Sequence, residues 1–285
     1  MPLRLLQEPI AEPLSLAEAK AHLRVDIADD DALISALITT ARVYAETLTR
    51  RALIAQSWKL VLDSFPGPTL IGIPWGKPFT LPGHAIYLEK SQVQAVTAIS
   101  FIDMGGLQEV MPPANYIVDT TSEPCRITPV FGQIWPIPLP QIASIEVDFV
   151  AGYAVPFVPN TANSSMAVQG PWATYVVGNV IRLSNSGGAL PSPLQPATSY
   201  WIQSVVSPGV YTLAASSSGP AITLTDTGSG TSFIGVVPEG IKAWMKVRIG
   251  ALYQHREEIA VTDKGTKIEP LPFMDRLLDP YRVVF

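Results

Sequence analysis

Helical spacing of apolar residues is clearest near the start of the chain. Apolar positions recur every three or four residues from 33 to 48, which predicts an amphipathic helix beginning at Asp29–Asp31 and ending near Arg51. Acidic residues suit the positive end of a helix, and basic residues such as Arg50 and Arg51 suit its negative end. The apolar stripe of this helix consists of Leu33, Leu37, Ala41, Tyr44 and Leu48.

Two further helices are predicted, one before and one far after this long helix. Ser15 and Glu18 have the spacing of a capping box, so a short helix should begin there and end near Val25. Pro238 and Glu239 suit the first turn of a helix that continues to about Glu258, and residues 272–278 suit one or two more helical turns. We expect the outer helical stretches of the chain to fold as one body.

Between these helices the sequence has the pattern of strands. Short β-branched or aromatic runs separated by Pro or Gly predict a small antiparallel sheet, and Met104–Leu107 suits a hairpin turn. The predicted strands of this sheet are 57–63, 85–89, 96–102, 114–118 and 143–150.

A sharp change in charge marks a separate module. Of the 19 basic and 24 acidic residues, only Arg182 and Asp226 fall between 155 and 235. This stretch alternates like an all-β module, with strands predicted at 180–183, 199–203, 210–213 and 221–225. The sequence therefore predicts a discontinuous core, residues 1–154 and 236–285, with an inserted all-β module at 155–235.

Composition excludes several classes of function. A net charge of −5 argues against phosphate-driven nucleic-acid binding, but it is compatible with a surface past which DNA slides. The N-terminus lacks the apolar core of a signal peptide, and no run approaches the roughly 18 apolar residues of a membrane span. Synthesis in the cytoplasm, without a membrane partner, is expected.

The search for reactive residues predicts no catalytic, metal or cofactor site. Cys125 is the only cysteine, so it cannot form an intramolecular disulfide, and a buried inert thiol is expected. His22, His84 and His255 lack the spacing of metal ligands, and no serine-nucleophile motif occurs. The acidic run 29–31 is explained by the helix that it begins. No enzyme activity is expected.

The two outer parts of the chain resemble the phage head–tail connector (adaptor) family. The resemblance runs through Leu14–Val25, Asp30–Ile38, Ala41–Arg51 and Ser57–Leu62, and returns in Val237–Ala243, Leu252–Glu257 and Leu277–Arg282. Where that family has a short loop, this chain carries the 155–235 stretch, which itself resembles a small β module of phage virion proteins. The fold expected is α+β: a helical adaptor core with a small antiparallel β-sheet, plus an inserted all-β domain.

This resemblance implies a structural protein of the virion neck, made in the host cytoplasm. It implies a dodecameric ring of copies beneath the portal protein, extending the DNA channel toward a tail-side stopper or tail terminator protein. DNA would pass through the lumen without specific binding. The predicted ring-interface residues are Arg42, Glu46, Arg50, Arg248 and Arg256.

The apolar C-terminus is the predicted portal contact, because it could add a strand to a sheet of the portal. Its residues are Tyr281, Arg282, Val283, Val284 and Phe285. The alternative for this tail is that it folds back on its own core.

Two other functions remain open from the sequence. One is a carbohydrate- or receptor-binding module in the insert, which requires that its aromatic residues be exposed together. The candidates are Trp172, Tyr175, Tyr200, Trp201 and Tyr211. The other is a hydrolase of cell wall or nucleic acid, for which the sequence offers no recognisable acid/base pair.

Overall fold

The computed structural model describes residues 3–67, 85–255 and 275–283. The fold class is α+β. Within the described residues the α-helices are α1 (Leu16–Leu23), α2 (Asp31–Thr49) and α3 (Glu239–Gln254), and the 3-10 helices are Pro113–Asn115 and Asp275–Tyr281. The three predicted α-helices are thus present, and the described part of the turns expected at 272–278 lies in the 3-10 helix Asp275–Tyr281. Residues 256–274, which include the predicted end of α3 and the start of those turns, lie outside the described residues. Trp75, His84, Arg256, Val284 and Phe285 lie outside the described residues.

The contacts within the chain divide it into two compact units. Unit 1 consists of Met1–Glu8, Gln56–Gly152 and Val283–Phe285, and unit 2 of Pro9–Ala55 and Tyr153–Arg282. This division differs from the predicted one, which joined the helices to the sheet and set 155–235 apart.

Unit 1 is built on antiparallel strands. Its strands are β1 (Leu3–Gln7), β2 (Gln56–Leu62), β3 (Ile86–Leu88), β4 (Val93–Ile102), β5 (Gln108–Val110), β6 (Tyr116–Asp119), β7 (Cys125–Pro129) and β8 (Ile145–Ala151). A five-stranded sheet has the order β1-β2-β8-β4-β5, and a three-stranded sheet the order β3-β7-β6. All five strands predicted here are present, as is the hairpin turn between β4 and β5.

Side chains alternate across the five-stranded sheet, because successive residues of a strand point to opposite faces. Leu60, Val147 and Ile99 are cross-strand partners on β2, β8 and β4, and all three are fully buried. On the other face Lys59 of β2 lies beside Glu146 and Asp148 of β8 and remains partly exposed. This alternation gives unit 1 a one-sided apolar core.

The helices of unit 2 form one hydrophobic cluster. The predicted capping box is present: the Glu18 N–H donates to Ser15 Oγ (3.1 Å), and the Ser15 N–H donates to Glu18 Oε2 (3.2 Å). Trp244 of α3 is 1% exposed within this cluster, and Leu278 of the C-terminal 3-10 helix is fully buried there. The cluster also contains Leu14, Ile34, Ile38, Ala41, Met245 and Ile249. The two helical ends of the chain therefore share one core, as expected from the sequence.

The charge-poor stretch forms a closed six-stranded barrel in unit 2. Its strands are β9 (Ala154–Asn160), β10 (Ser165–Val168), β11 (Val180–Ser186), β12 (Ser199–Ser207), β13 (Val210–Ala214) and β14 (Thr231–Gly235), in the order β10-β13-β12-β11-β14-β9. Closure leaves no free sheet edge. Gly235 has a φ of +98°, and a Cβ there would lie 2.1 Å from the Tyr153 carbonyl oxygen, so this position requires glycine.

One predicted strand of the barrel is wrong. Residues 221–225 form an extended segment with a single bridge, Ala214 to Ala221, rather than a strand. The segment is fixed instead by Leu224, which is 5% exposed in the barrel core and whose N–H donates to Ser164 Oγ. Its alternation therefore reflects packing against the barrel without a ladder.

The barrel is joined to the helices by shared packing and polar contacts. Phe233 of β14 belongs to the helical cluster, and the buried Ser186 of β11 accepts a hydrogen bond from the Ser15 N–H (2.8 Å) and donates to Glu18. A Cβ at Gly187 would lie 2.5 Å from Ser15 Oγ, which shows how close the two elements approach. These contacts explain why the barrel groups with the helices in unit 2.

Candidate assembly interface

A shallow groove lies between α2 and α3 in unit 2. Tyr44 packs against the buried Trp244, with 5.5 Å between ring centroids, and the Arg248 guanidinium lies over the Tyr44 ring at 5.1 Å. The groove has a volume of about 500 Å³ and is lined by Thr39, Thr40, Ala41, Val43, Tyr44, Thr47, Arg248 and Leu252. Its floor is largely apolar, and among the described residues Arg248 is the one charged residue of the lining.

Two predicted ring-interface residues are internal to unit 2. Arg42 and Glu46 are 6% and 4% exposed. Arg42 Nε donates to Glu12 Oε2 (2.8 Å) and Nη1 to Glu46 Oε2 (3.2 Å), while Glu46 Oε1 accepts from the Leu53 N–H (2.9 Å). The network ties α2 to the segments on either side of it. Burial leaves little of either side chain for a neighbouring copy, so we assign them to the fold.

The other three predicted interface residues differ in position. Arg50 ends α2 in the left-handed conformation (φ +56°) and is exposed, and Arg248 is exposed on α3. Arg256 lies outside the described residues. A ring-interface role for Arg50 and Arg248 stays a prediction.

The predicted portal-binding segment is partly held by the chain itself. Tyr281 packs against the helical cluster, and its carbonyl oxygen accepts a hydrogen bond from Arg51 Nε. Val283 is buried, whereas Arg282 between them is exposed. Val284 and Phe285 lie outside the described residues. In the described part of the tail, Tyr281 and Val283 therefore pack within the chain and Arg282 is exposed. Portal binding by this segment stays a prediction.

Unit 1 carries an exposed apolar loop that the sequence analysis did not single out. The loop joins β7 to β8, and its exposed side chains are Phe131, Ile134, Ile137 and Ile142, all at least 76% exposed. At its base Trp135 stacks on Phe65, with 4.8 Å between parallel rings. Four large apolar side chains on one loop are typical of a contact surface. The signal available in the sequence was the absence of charge from 130 to 145.

A second exposed surface of unit 1 is the hairpin between β4 and β5. Met104, Leu107 and Val110 are 62%, 69% and 65% exposed, and Glu109 beside them is also exposed. The Asp103 carboxylate accepts hydrogen bonds from the Gly105 N–H (2.9 Å) and the Leu107 N–H (2.8 Å). These two hydrogen bonds therefore hold the tip of the hairpin in one conformation.

The aromatic residues of the barrel do not form an exposed platform. Tyr200 and Tyr211 are buried, and Trp172 and Tyr175 pack against the same core. Both make edge contacts with Tyr211, at 6.1 and 5.5 Å between centroids. Burial raises the pKa of the Tyr175 hydroxyl to about 12. Trp201 of β12 is partly exposed and is not part of this core. Because the other four candidates build the barrel core or pack against it, they are not exposed together as the carbohydrate-binding hypothesis requires.

Two described groups of unit 1 whose pKa values are shifted, Cys125 and Asp119, are in structural positions. Burial, together with the Asp119 carboxylate, raises the pKa of the Cys125 thiol to about 12, so it is the buried inert thiol predicted. Hydrogen bonds from Ser122, Thr121 and Arg126 hold the pKa of the Asp119 carboxyl well below its usual range. Shifted pKa values of this kind arise in structural hydrogen-bond networks as well as in active sites.

Within the described residues, no group of three His, Cys, Asp or Glu side chains could hold a metal ion. A search of that same part of the chain for a helix long and apolar enough to span a membrane found none.

Comparison with known proteins gives one family and a set of similar structures. Residues 13–103 match the model of the family described as phage gp6-like head-tail connector protein. A search of curated proteins found no match.

Three solved structures are similar over 100% of this chain and 97% of theirs. They are described as the virion of the native gene transfer agent (GTA) particle (TM-score 0.54, 18% identity), the neck of the empty GTA particle computed with C6 symmetry (0.54, 18%) and the neck of the native GTA particle computed with C12 symmetry (0.51, 16%). At this identity the likeness is one of fold. The head–tail connector resemblance predicted from the sequence is therefore confirmed over residues 13–103, and the fold of the whole chain is shared with proteins of GTA particles.

Proposed function

We propose that this chain is a structural protein of a virion neck, the head–tail adaptor that forms a ring beneath the portal and extends the DNA channel toward the tail. The observation that carries the proposal is the family match over residues 13–103, which include α1, α2 and strands β2, β3 and β4 of unit 1. The fold likeness to neck proteins of GTA particles supports the same location. No enzymatic step is part of this role.

A ring requires surfaces that a single copy leaves uncovered. The exposed loop with Phe131 and Ile134, the hairpin with Leu107 and the groove beside Tyr44 are such surfaces. Exposed apolar area of this kind favours assembly, because covering it removes apolar surface from water. In our proposal unit 2 contributes the helical adaptor core, residues 155–235 are an inserted module, and a dodecamer is the expected state.

The partners follow from this position. Neighbouring copies would contact one another around the ring, the portal would lie on the head side, and a stopper or tail terminator protein on the tail side. The net charge of −5 per chain would be repeated around the lumen and would keep it from gripping DNA phosphates.

Within the proposed portal-binding segment, Arg282 is the exposed residue among those that the structure describes. Tyr281 and Val283 are held within their own chain, which leaves Arg282 as the described side chain most available to the portal. The full proposed segment remains Tyr281–Phe285. Substitution of Arg282 by Glu should weaken capture of the chain by immobilised portal and leave the helical circular-dichroism signal unchanged.

Electron microscopy tests the proposal as a whole. The purified chain is imaged alone and after mixing with purified portal rings. We expect closed rings of this chain, either free or stacked on the portal, with an open lumen. Monomers that neither close into rings nor bind the portal would contradict the proposed function.

A further inference from the structure

The groove between α2 and α3 has a chemistry that limits what it can bind. Its threonine hydroxyls are already used: Thr40 Oγ1 donates to the Ala36 carbonyl (2.9 Å), Thr47 Oγ1 to the Val43 carbonyl (2.8 Å) and Thr39 Oγ1 to Glu12 (2.9 Å). What these residues can offer a ligand without breaking a hydrogen bond is therefore mainly methyl surface.

The groove nevertheless carries one charged side chain, Arg248, which a ligand has to match. Arg248 is exposed over the Tyr44 ring, and among the described residues no carboxylate forms an ion pair with it. A guanidinium held over an aromatic ring pairs well with a carboxylate, since both of its edges still carry N–H donors. The best occupant is therefore an apolar segment that carries a single exposed carboxylate.

The β4–β5 hairpin has these properties. Met104, Leu107 and Val110 are exposed apolar side chains, and the exposed Glu109 lies within the same short segment. Because the Asp103 carboxylate already fixes the turn, little conformational entropy is lost when the tip is bound. Methionine adapts to irregular apolar surfaces, which suits a shallow groove.

The other exposed apolar surface fits the groove less well. The β7–β8 loop has no charged residue between 130 and 145, so its binding would bury Arg248 without a partner. Burying an unpaired charge is strongly unfavourable. The charge pattern therefore selects the hairpin over this loop.

From these features we infer that the α2–α3 groove of one copy receives the β4–β5 hairpin of the neighbouring copy, with Glu109 paired to Arg248 and Leu107 against the methyl-lined floor. This inference rests on the proposed function, since it names the contact that would join copies in the ring. Groove and hairpin are different surfaces, so the contact is head-to-tail, the type that closes into a ring.

Charge exchange tests the pairing in the full-length chain. Self-association is measured by sedimentation velocity. If the copies associate only on the portal, the measurement is made in the presence of purified portal rings. Arg248→Glu and Glu109→Arg should each raise the dissociation constant about tenfold, because attraction becomes repulsion. An equimolar mixture of the two variants should recover wild-type affinity, since every hairpin then meets a groove of opposite charge. Matched controls are Arg182→Glu and Glu8→Arg, which reverse exposed charges elsewhere and should have no effect.

Cysteine cross-linking tests the geometry independently. The native Cys125 is buried, so introduced thiols are the reactive ones. A chain with both Leu107→Cys and Thr47→Cys should give a ladder of covalent oligomers on mild oxidation, as seen on a denaturing gel. A chain with Leu107→Cys and Ser217→Cys, the second on the barrel, should show no such ladder on the same gel.

Different results would refute the proposed contact and the adaptor role. Rings that form normally in both charge variants, or assemble without cross-linking the groove pair, would overturn this contact and leave the adaptor role standing. A wild-type chain that forms no rings under any condition would overturn both.

Discussion

Arg42 offers a direct test of whether its network belongs to the fold or to an interface. In the variant Arg42→Met, the buried Glu46 carboxylate loses its ion pair with Arg42 and keeps its other contacts, among them the hydrogen bond from the Leu53 N–H. Breaking a buried ion pair by removing one partner costs about 3–5 kcal/mol. The second pair, with Glu12, adds little because that carboxylate is 29% exposed and its interaction is screened by solvent. We therefore expect a loss of about 3 kcal/mol in the free energy of unfolding.

Urea unfolding followed by circular dichroism at 222 nm measures this loss, since the helices carry most of that signal. Glu46→Gln separates two contributions, because the amide oxygen can still accept from the Leu53 N–H while the charge is removed. It should be less destabilising than Glu46→Leu, which also leaves that N–H without an acceptor, at a cost of about 1–3 kcal/mol. Arg182→Met, which removes an exposed arginine of the barrel, is the control and should change stability by less than about 0.5 kcal/mol.

The same variants distinguish the fold from assembly. Arg42→Met protein that remains folded should associate with wild-type affinity, whereas Arg248→Glu should keep wild-type stability and associate weakly. An Arg42→Met protein as stable as the wild type would refute the assignment of this network to the fold. A variant that is as stable as the wild type and forms rings poorly would support an interface role for Arg42.

Three further outcomes are expected. Trp244→Ala should lower the free energy of unfolding by about 3–5 kcal/mol, because it empties the site of a fully buried indole, and unchanged urea midpoints would contradict the shared helical core. Cys125 should not react with a thiol reagent at pH 8 while the protein is folded and should react once per chain in urea, which absorbance of the released thiolate reports. The depressed pKa of Asp119 implies stability that is present above the ordinary carboxyl pKa of about 4 and lost below it, so the difference in melting temperature between Asp119→Asn and wild type should shrink as the pH falls through that value.

The helices were predictable because their signals are local. The capping box of Ser15 and Glu18 and the spacing of apolar residues in α2 depend on positions only a few residues apart, so a single sequence contains them. The acidic run before α2 was predicted for its charge alone. The structure shows a more specific use, since Asp30 caps the helix without a side-chain hydrogen bond to it and instead accepts one from the Tyr253 hydroxyl of α3.

The barrel was predicted in outline, and its closure was not. Strand β9 contains Pro156 and Pro159, which cannot donate to a ladder and so argue against a strand. The segment 221–225 has the alternation of a strand and forms a single bridge. Which segments close a barrel depends on pairing between residues far apart in the chain, such as Phe233 with Pro156, and local pattern carries no information about that pairing.

The interface residues were the hardest part to predict, because residues on the buried and exposed faces of a helix can have the same spacing. Arg42 and Glu46 are spaced four apart on a helix, which is also the spacing of an exposed ion pair. Glu12 and Leu53, which lie before and after α2, contact this pair in the folded chain, and the helical pattern marks neither residue. Tyr44, which the apolar pattern placed in the stripe of α2, is instead 38% exposed, and the neighbouring Val43 is 49% exposed. One polar pair of α2 is therefore internal, while Val43 and Tyr44 remain exposed beside the buried apolar residues of the same helix. The groove beside Tyr44 is for this reason the better place to look for the contact between copies.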